Sequence, residues 1–253
     1  MKLDKLWNGL KRIANGDYVL EGDLICDENL EIELDDRLVV KGKIEVKKNI
    51  TAVKGINAGE GIKAGWGINA GEGINAGCGI NAGWGINAGW GINAGEGIKA
   101  GWGINAGEGI KAGWGINAGC GINAGEGIKA GWGINAGEGI NAGTFIHCEK
   151  RIFAGLSVYN TNENCKKIIE CAELQKGEIC FGELVIKPNL KPCPFCGNKK
   201  VNVESYNEIN GKDDDDENES YAVICSVFEG GCGATGGYKD TPEAAFENWN
   251  QRT

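Results

Sequence analysis

Four cysteines toward the C-terminal end are spaced as metal ligands. Cys193-Pro194-Phe195-Cys196-Gly197 reads as a knuckle turn, with two thiols three positions apart and a glycine that frees the backbone for a tight loop. Cys225 and Cys232-Gly233 supply a second half. Four thiolates satisfy tetrahedral zinc and leave no open position for a catalytic water, so the set predicts a closed, structural Zn2+ site made by Cys193, Cys196, Cys225 and Cys232. Metal ligation would give folding free energy to a module of about 65 residues whose own core is small.

No other residues are spaced for a reaction. The sole histidine, His147, has no nucleophile placed beside it by the sequence and reads as structural. The remaining cysteines, Cys26, Cys78, Cys120, Cys148, Cys165, Cys171 and Cys180, share no metal spacing and read mostly as small buried residues. No open metal site or phosphate loop is apparent, and the frequent Gly-x-Gly steps belong to a repeat, not to a dinucleotide fingerprint. The expectation is a protein that is not an enzyme.

That repeat is the main element of the chain. Between Gly55 and Thr144 one hexapeptide, Gly-Ile-(Asn/Lys)-Ala-Gly-(Glu/Trp/Cys), recurs fifteen times without insertion, the last unit ending in threonine. A short strict period means a solenoid. In extended chain Ile56 and Ala58 share one side while Asn57 faces the other, and the Gly-x-Gly step permits a corner. Three units per coil, 18 residues, is favoured by stacking. It places Trp66 over Trp84 over Trp102, and Trp114 over Trp132, with one like-charge pair, Glu108 and Glu126. A 12-residue coil would stack three glutamate pairs, which repel. The same offset makes one edge wholly asparagine: Asn69, Asn87, Asn105, Asn123 and Asn141. Every lysine of the repeat has a glutamate three residues before it and a tryptophan three after, so these units balance their own charge and bring Trp within cation–π reach.

The flanks are divided by pattern. Leu3, Leu6, Trp7, Leu10, Ile13 and Ala14 follow helical spacing and Asn15-Gly16 supplies a stop, which predicts a short amphipathic helix over residues 2–14 capping the rod. From Tyr18 to Val53 alternation replaces it, so residues 1–54 read as a helix cap and first irregular β coils. Residues 145–188 read as further β coils, with a break at Gln175-Lys176-Gly177 that suits a hairpin. Lys187-Pro188-Asn189 marks the boundary to a small α+β zinc-ribbon domain over 189–253. Within it Asp213-Asp214-Asp215-Asp216-Glu217 reads as a solvated charge run. The fold class is mainly β: a β-helix of hexapeptide repeats over 55–144 between β coils, followed by the ribbon.

The repeat resembles the hexapeptide β-helix proteins, although the small residue usual two positions before the inward aliphatic is here Glu, Trp or Cys. Acyltransferases of that kind would add a catalytic histidine and a loop excursion, and this repeat has neither. The C-terminal module resembles another family. Leu190-Lys191-Pro192-Cys193-Pro194-Phe195-Cys196-Gly197, then Cys232-Gly233-Ala234, then Thr241-Pro242-Glu243-Ala244-Ala245 running into Trp249-Asn250-Gln251-Arg252, is similar to the restriction-alleviation (Lar-like) proteins of phages and prophages. It departs from them in the six residues between Cys225 and Cys232. The resemblance implies a phage context, interference with host restriction, and a helix from Thr241 to Trp249 packed on the zinc turn.

Charge narrows the partners. The chain carries −9 overall, and residues 189–253 hold six basic and twelve acidic groups, which argues against nonspecific binding to a phosphate backbone. The eleven cysteines and the absence of an apolar export core after Met1 point to the cytoplasm. The uncharged stretch Gly73 to Gly95 is rich in glycine and asparagine and does not read as a membrane span. With the resemblance, which implies the phage context and the restriction target, the expectation is a non-enzymatic phage or prophage protein that binds a host defence protein through its rod, with Trp66, Trp84, Trp102, Trp114 and Trp132 as contacts and a homo-oligomer as a further expectation. Six glutamates against four lysines make the repeat too neutral for mimicry of DNA. Two alternatives remain: a nucleic-acid-binding zinc-ribbon regulator, and a structural or glycan-binding fibre.

Overall fold

The computed structural model describes residues 1–7, 9–155, 167–186, 193–198, 201–205, 220–225 and 231–251. Cys165 and the acidic run at 213–217 lie outside them. The chain forms two compact units, Met1–Lys187 and Pro188–Thr253.

The first unit is a β-solenoid. After β1 (Lys2–Asp4) and β2 (Lys11–Arg12) come β3 (Tyr18–Leu20), β4 (Leu24–Cys26) and β5 (Leu30–Glu33). Then eighteen three-residue rungs, β6 to β23, run from Leu38–Val40 to Ile140–Ala142. The end coils are β24 (Phe145–Ala154), β25 (Ile168–Cys171), β26 (Glu173–Phe181) and β27 (Glu183–Ile186). Each rung pairs in parallel with the rung three elements on, as in Ile68↔Ile86 and Ile86↔Ile104, so one coil is 18 residues and the solenoid has three faces. The irregular first coil is longer: Tyr18 pairs with Leu38, Leu24 with Ile44 and Leu30 with Ile50.

Each rung turns its isoleucine and alanine inward, where every isoleucine of the repeat is at most 1% exposed. The middle residue points out. Face one carries Asn69, Asn87, Asn105 and Asn123, whose amides form a head-to-tail ladder with Nδ2 to Oδ1 distances of 2.9 Å. Face two carries Asn57, Asn75 and Asn93 and then Lys111 and Lys129. Face three carries Glu45, Lys63, Asn81 and Lys99.

The glycines obey a steric rule. None in the repeat adopts a positive φ, so the corners do not require left-handed backbone. The glycine that follows alanine sits against the coil before it: a Cβ on Gly101 would lie 1.9 Å from the carbonyl oxygen of Gly83. The glycine that precedes isoleucine has more room, with 3.3 Å from a Cβ on Gly103 to the carbonyl oxygen of Gly121. Lys41, Lys47 and Val53 hold the tight position only where the neighbouring coil is the 20-residue one.

Two local expectations are corrected. Residues 2–14 are not a helix: β1 lies in parallel on β5, and β2 pairs antiparallel with β3. The first coil offers a row of unpaired backbone donors and acceptors, which a strand satisfies and a helix cannot. Asn15-Gly16 still turns the chain, but within the β2–β3 hairpin, where Gly16 has φ 98°. Gln175-Lys176-Gly177 is not a hairpin either. β26 runs unbroken through it in parallel with β24, while β25 and β27 pair in parallel on face one. Gly177, at φ 134°, lets the strand round the corner between faces two and three.

In the second unit β28 (Asn202–Ser205) and β29 (Tyr221–Ile224) form an antiparallel pair, and α1 (Pro242–Asn250) is the one helix among the described residues. Thr241 caps α1 by accepting from the Ala244 N–H at 3.2 Å, with Pro242 in the first turn. Trp249 is 1% exposed and packs in a core with Val201, Val223, Cys193 and Cys225.

The steric rule gives an asymmetric mutational result. Gly101→Ala should destabilise the solenoid by about 1–3 kcal/mol or more through overpacking, whereas Gly103→Ala should cost less than about 1 kcal/mol. Denaturant unfolding of the two variants checks this, and equal effects would refute it.

Candidate functional site

The four cysteines predicted as ligands converge. All four sulfur atoms lie within 4.8 Å of one another, with Cys193 Sγ 3.5 Å from Cys232 Sγ and Cys196 Sγ 3.5 Å from Cys225 Sγ. Sulfurs about 2.3 Å from a tetrahedral zinc would be about 3.8 Å apart, so the cluster has the dimensions of a zinc site.

Two matching knuckles hold it. The Gly197 N–H donates to the Cys193 carbonyl at 2.8 Å, and the Gly233 N–H to the Cys225 carbonyl at 2.9 Å. Cys193 N–H closes on the Asn198 carbonyl and Cys225 N–H on the Ala234 carbonyl, both at 2.8 Å. Gly197 and Gly233 are left-handed, at φ 72° and 77°. The long Cys225–Cys232 gap thus leaves the knuckle closed in the same way as the short one, and Cys225 stands where a ligand is needed.

The thiols are set unequally. Burial opposes ionisation of Cys193, but backbone N–H groups of Cys196 and Phe195 and the neighbouring thiols outweigh it and bring Cys193 down to about 7. Burial pushes Cys225 up to about 12. A divalent cation would offset that cost, and Zn2+ fits the donor set, with Cys193, Cys196, Cys225 and Cys232 as its holders and a structural role as its chemistry. The buried cysteines elsewhere are quiet: burial raises the thiols of Cys148 and Cys171. Cys26 is also buried, Cys78 and Cys120 are half-buried, and Cys180 is exposed.

The five tryptophans predicted as contacts are divided. Trp66, Trp84 and Trp102 stack on the corner between faces three and one, with ring centroids 5.1 and 5.5 Å apart and planes within 10°. Lys48 lies over Trp66 at 6.0 Å. Exposure rises along the stack, 38%, 44% and 60%, as neighbours are lost. Trp114 and Trp132 stand on a different corner, across face three, beside a groove of about 380 Å³ that Glu96 and Lys99 also line. Trp90 is 54% exposed on the third corner. It belongs to no tryptophan stack, because its column neighbours are Glu72 and Glu108. Stacking hides the ring faces of Trp84, so a sugar, which needs a free face, finds little purchase there.

Charge pairing runs along the axis, from coil to coil. Lys63 Nζ meets Glu45 Oε1 at 3.1 Å, one coil back, and Lys54 meets Glu72 at 2.9 Å, one coil on. His147 pairs with Glu149 at 3.2 Å. In the second unit, Phe195 is 73% exposed at the tip of the first knuckle. Among the described residues no helix is long and apolar enough to cross a membrane.

Comparison with known proteins places the second unit. The family described as Restriction alleviation protein Lar matches residues 188–253. A curated relative, the endodeoxyribonuclease toxin RalR of Escherichia coli (strain K12), is 37% identical over 65 residues, which is 26% of this chain and 78% of that protein. No solved structure matches.

The knuckle geometry makes Cys225 the informative position. Purified chain should hold one zinc, and Cys225→Ser should lower zinc affinity and loosen the second unit. Metal analysis and limited proteolysis read both, and full retention of zinc would remove Cys225 from the ligand set. Ligation displaces thiol protons, so affinity should fall as pH falls, most clearly below about pH 7 where Cys193 also holds its proton. Zinc competition against a chelator across pH checks the sign.

Proposed function

Because the chain belongs, through residues 188–253, to the family described as Restriction alleviation protein Lar, we propose that it acts in relation to host restriction as a non-enzymatic binding protein of phage or prophage type. The target is a protein of a restriction-type defence system, and the solenoid provides the main contact surface. The observation that carries this reading is the joining of the family module to a rigid three-faced solenoid with tryptophans exposed on its corners. The matched 65 residues leave the solenoid outside the relative, so the display surface is what this chain adds. Aromatic side chains on a fixed scaffold lose little entropy on binding and are common anchors of protein interfaces.

The zinc module supports a structural role at its metal. Four thiolates complete the coordination of Zn2+ and leave no place for a metal-bound water. The acidic excess of residues 189–253 opposes a nucleic-acid partner.

A second reading follows from the relative, which is named an endodeoxyribonuclease. This chain would then cleave DNA through residues 188–253. That segment contains no histidine, so acidic residues and an added divalent cation would have to carry the reaction.

Expression of the full chain should raise the plating of unmodified phage on a restricting host. Replacing Trp66, Trp84 and Trp102 together by alanine should weaken target binding by at least about 30-fold, the value of one anchor worth ~2 kcal/mol. No rescue of plating would sink the first reading. Nicking of supercoiled plasmid by the purified chain with Mg2+ would replace it with the second.

A further inference from the structure

The two ends of the solenoid differ. At the N-terminal end β1 covers the outer edge of β5 and β2 that of β3, Leu3 is fully buried, and Trp7 and Leu10 pack against the core. At the other end β26 pairs only with β24, and β27 only with β25, among the described residues. Their inward residues are poorly covered. Leu174 and Ile179 are half-buried, Leu184 is 37% exposed and Ile186 is 46% exposed, against at most 1% for the isoleucines of the repeat. An apolar end whose strand edges have no partner among the described residues of the first unit calls for a cap, because such an edge is a template for pairing.

The register of this end coil is self-complementary. On β26 the inward residues, Leu174 opposite Ile146 and Ile179 opposite Ile152, are symmetric about the step from Lys176 to Gly177, where the strand rounds the corner between faces two and three. On β27 the inward residues Leu184 and Ile186, opposite Ile169 and Cys171, are symmetric about Val185, at the middle of face one. In a three-sided coil that corner lies across from the middle of that face. One two-fold axis, perpendicular to the solenoid, can therefore cut both strands at their points of symmetry.

We propose that this end is the contact surface for a second copy of the chain, with the two solenoids meeting end to end. The axis places β26 antiparallel to its copy, Leu174 opposite the copy's Ile179, and β27 antiparallel to its copy, Leu184 opposite the copy's Ile186. Every edge strand gains a ladder and each inward residue meets another inward residue. The charges permit it: Lys176 is paired with Glu149, Glu178 lies 3.9 Å from Arg151, and the register opposes Glu178 to Gln175, not to another carboxylate. Such a contact is isologous and closes at two copies.

Val185 points outward and meets its own copy on the axis, so it tests the arrangement without entering the core. By light scattering the zinc-loaded full chain should have twice its 26.7 kDa mass. Val185→Glu and Val185→Lys should each be folded monomers by circular dichroism, and an equimolar mixture of the two should recover the dimer. A monomeric unmodified chain at concentrations up to about 100 µM, where even a weak dimer is populated, would overturn the proposal. A dimer indifferent to both substitutions would overturn it too, by placing the contact elsewhere. Should the variants misfold, hydrogen exchange of the unmodified chain decides: amides of residues 173–186 should lose protection on dilution, and constant protection refutes the pairing.

Discussion

The close approach of successive coils governs this protein. Parallel ladders draw each 18-residue turn onto the one before until the carbonyl oxygen of one coil lies about 2 Å from where the next glycine would carry a Cβ. That approach forces glycine after the alanine of every repeat unit and brings isoleucine over isoleucine in the interior. It also sets the corner residues in columns. The stack of Trp66, Trp84 and Trp102 and the amide ladder from Asn69 to Asn123 are consequences of the same register.

A rod built this way is stable along its length and vulnerable at its ends, since each coil is completed by its neighbours. The N-terminal segment answers this with β1 and β2, which finish two of the three faces at the cost of the helical pattern written in Leu3, Leu6, Trp7 and Leu10. Leu6 pays visibly, left in solvent while Leu3 is fully buried. The second unit is held by different means. Its core is a few side chains around Trp249, and two glycine-closed knuckles assemble four thiols whose unequal proton affinities a divalent cation would reconcile.

Function, on this reading, divides along the same line. The Lar-family unit connects the chain to restriction, and the solenoid offers surface in quantity and at fixed spacing. The faces are not equivalent. One is amide throughout its central stretch, another becomes basic at Lys111 and Lys129, and the third carries the groove beside Trp114 and Trp132. Rigid, distinct faces suit recognition of another macromolecule by shape and position of contacts better than by net charge.

Periodicity made much of this readable from the sequence. A strict repeat admits few registers, and repulsion between stacked glutamates chooses 18 residues over 12, so the rungs, the tryptophan stack and the asparagine edge follow from residue types alone. The knuckle from Cys193 to Gly197 was likewise written locally, and the resemblance of the C-terminal module implied the helix that follows Thr241. Tertiary structure decided where local and global demands disagreed. Free strand edges overrode a helical pattern in residues 2–14, and a neighbouring coil carried β26 straight through an apparent hairpin break. Coil geometry divided Trp66, Trp84 and Trp102 from Trp114 and Trp132 by a whole face. In each case the deciding partner is far away along the chain: short-range pattern specifies what a segment can form, and backbone groups left unpaired by distant neighbours specify what it does form.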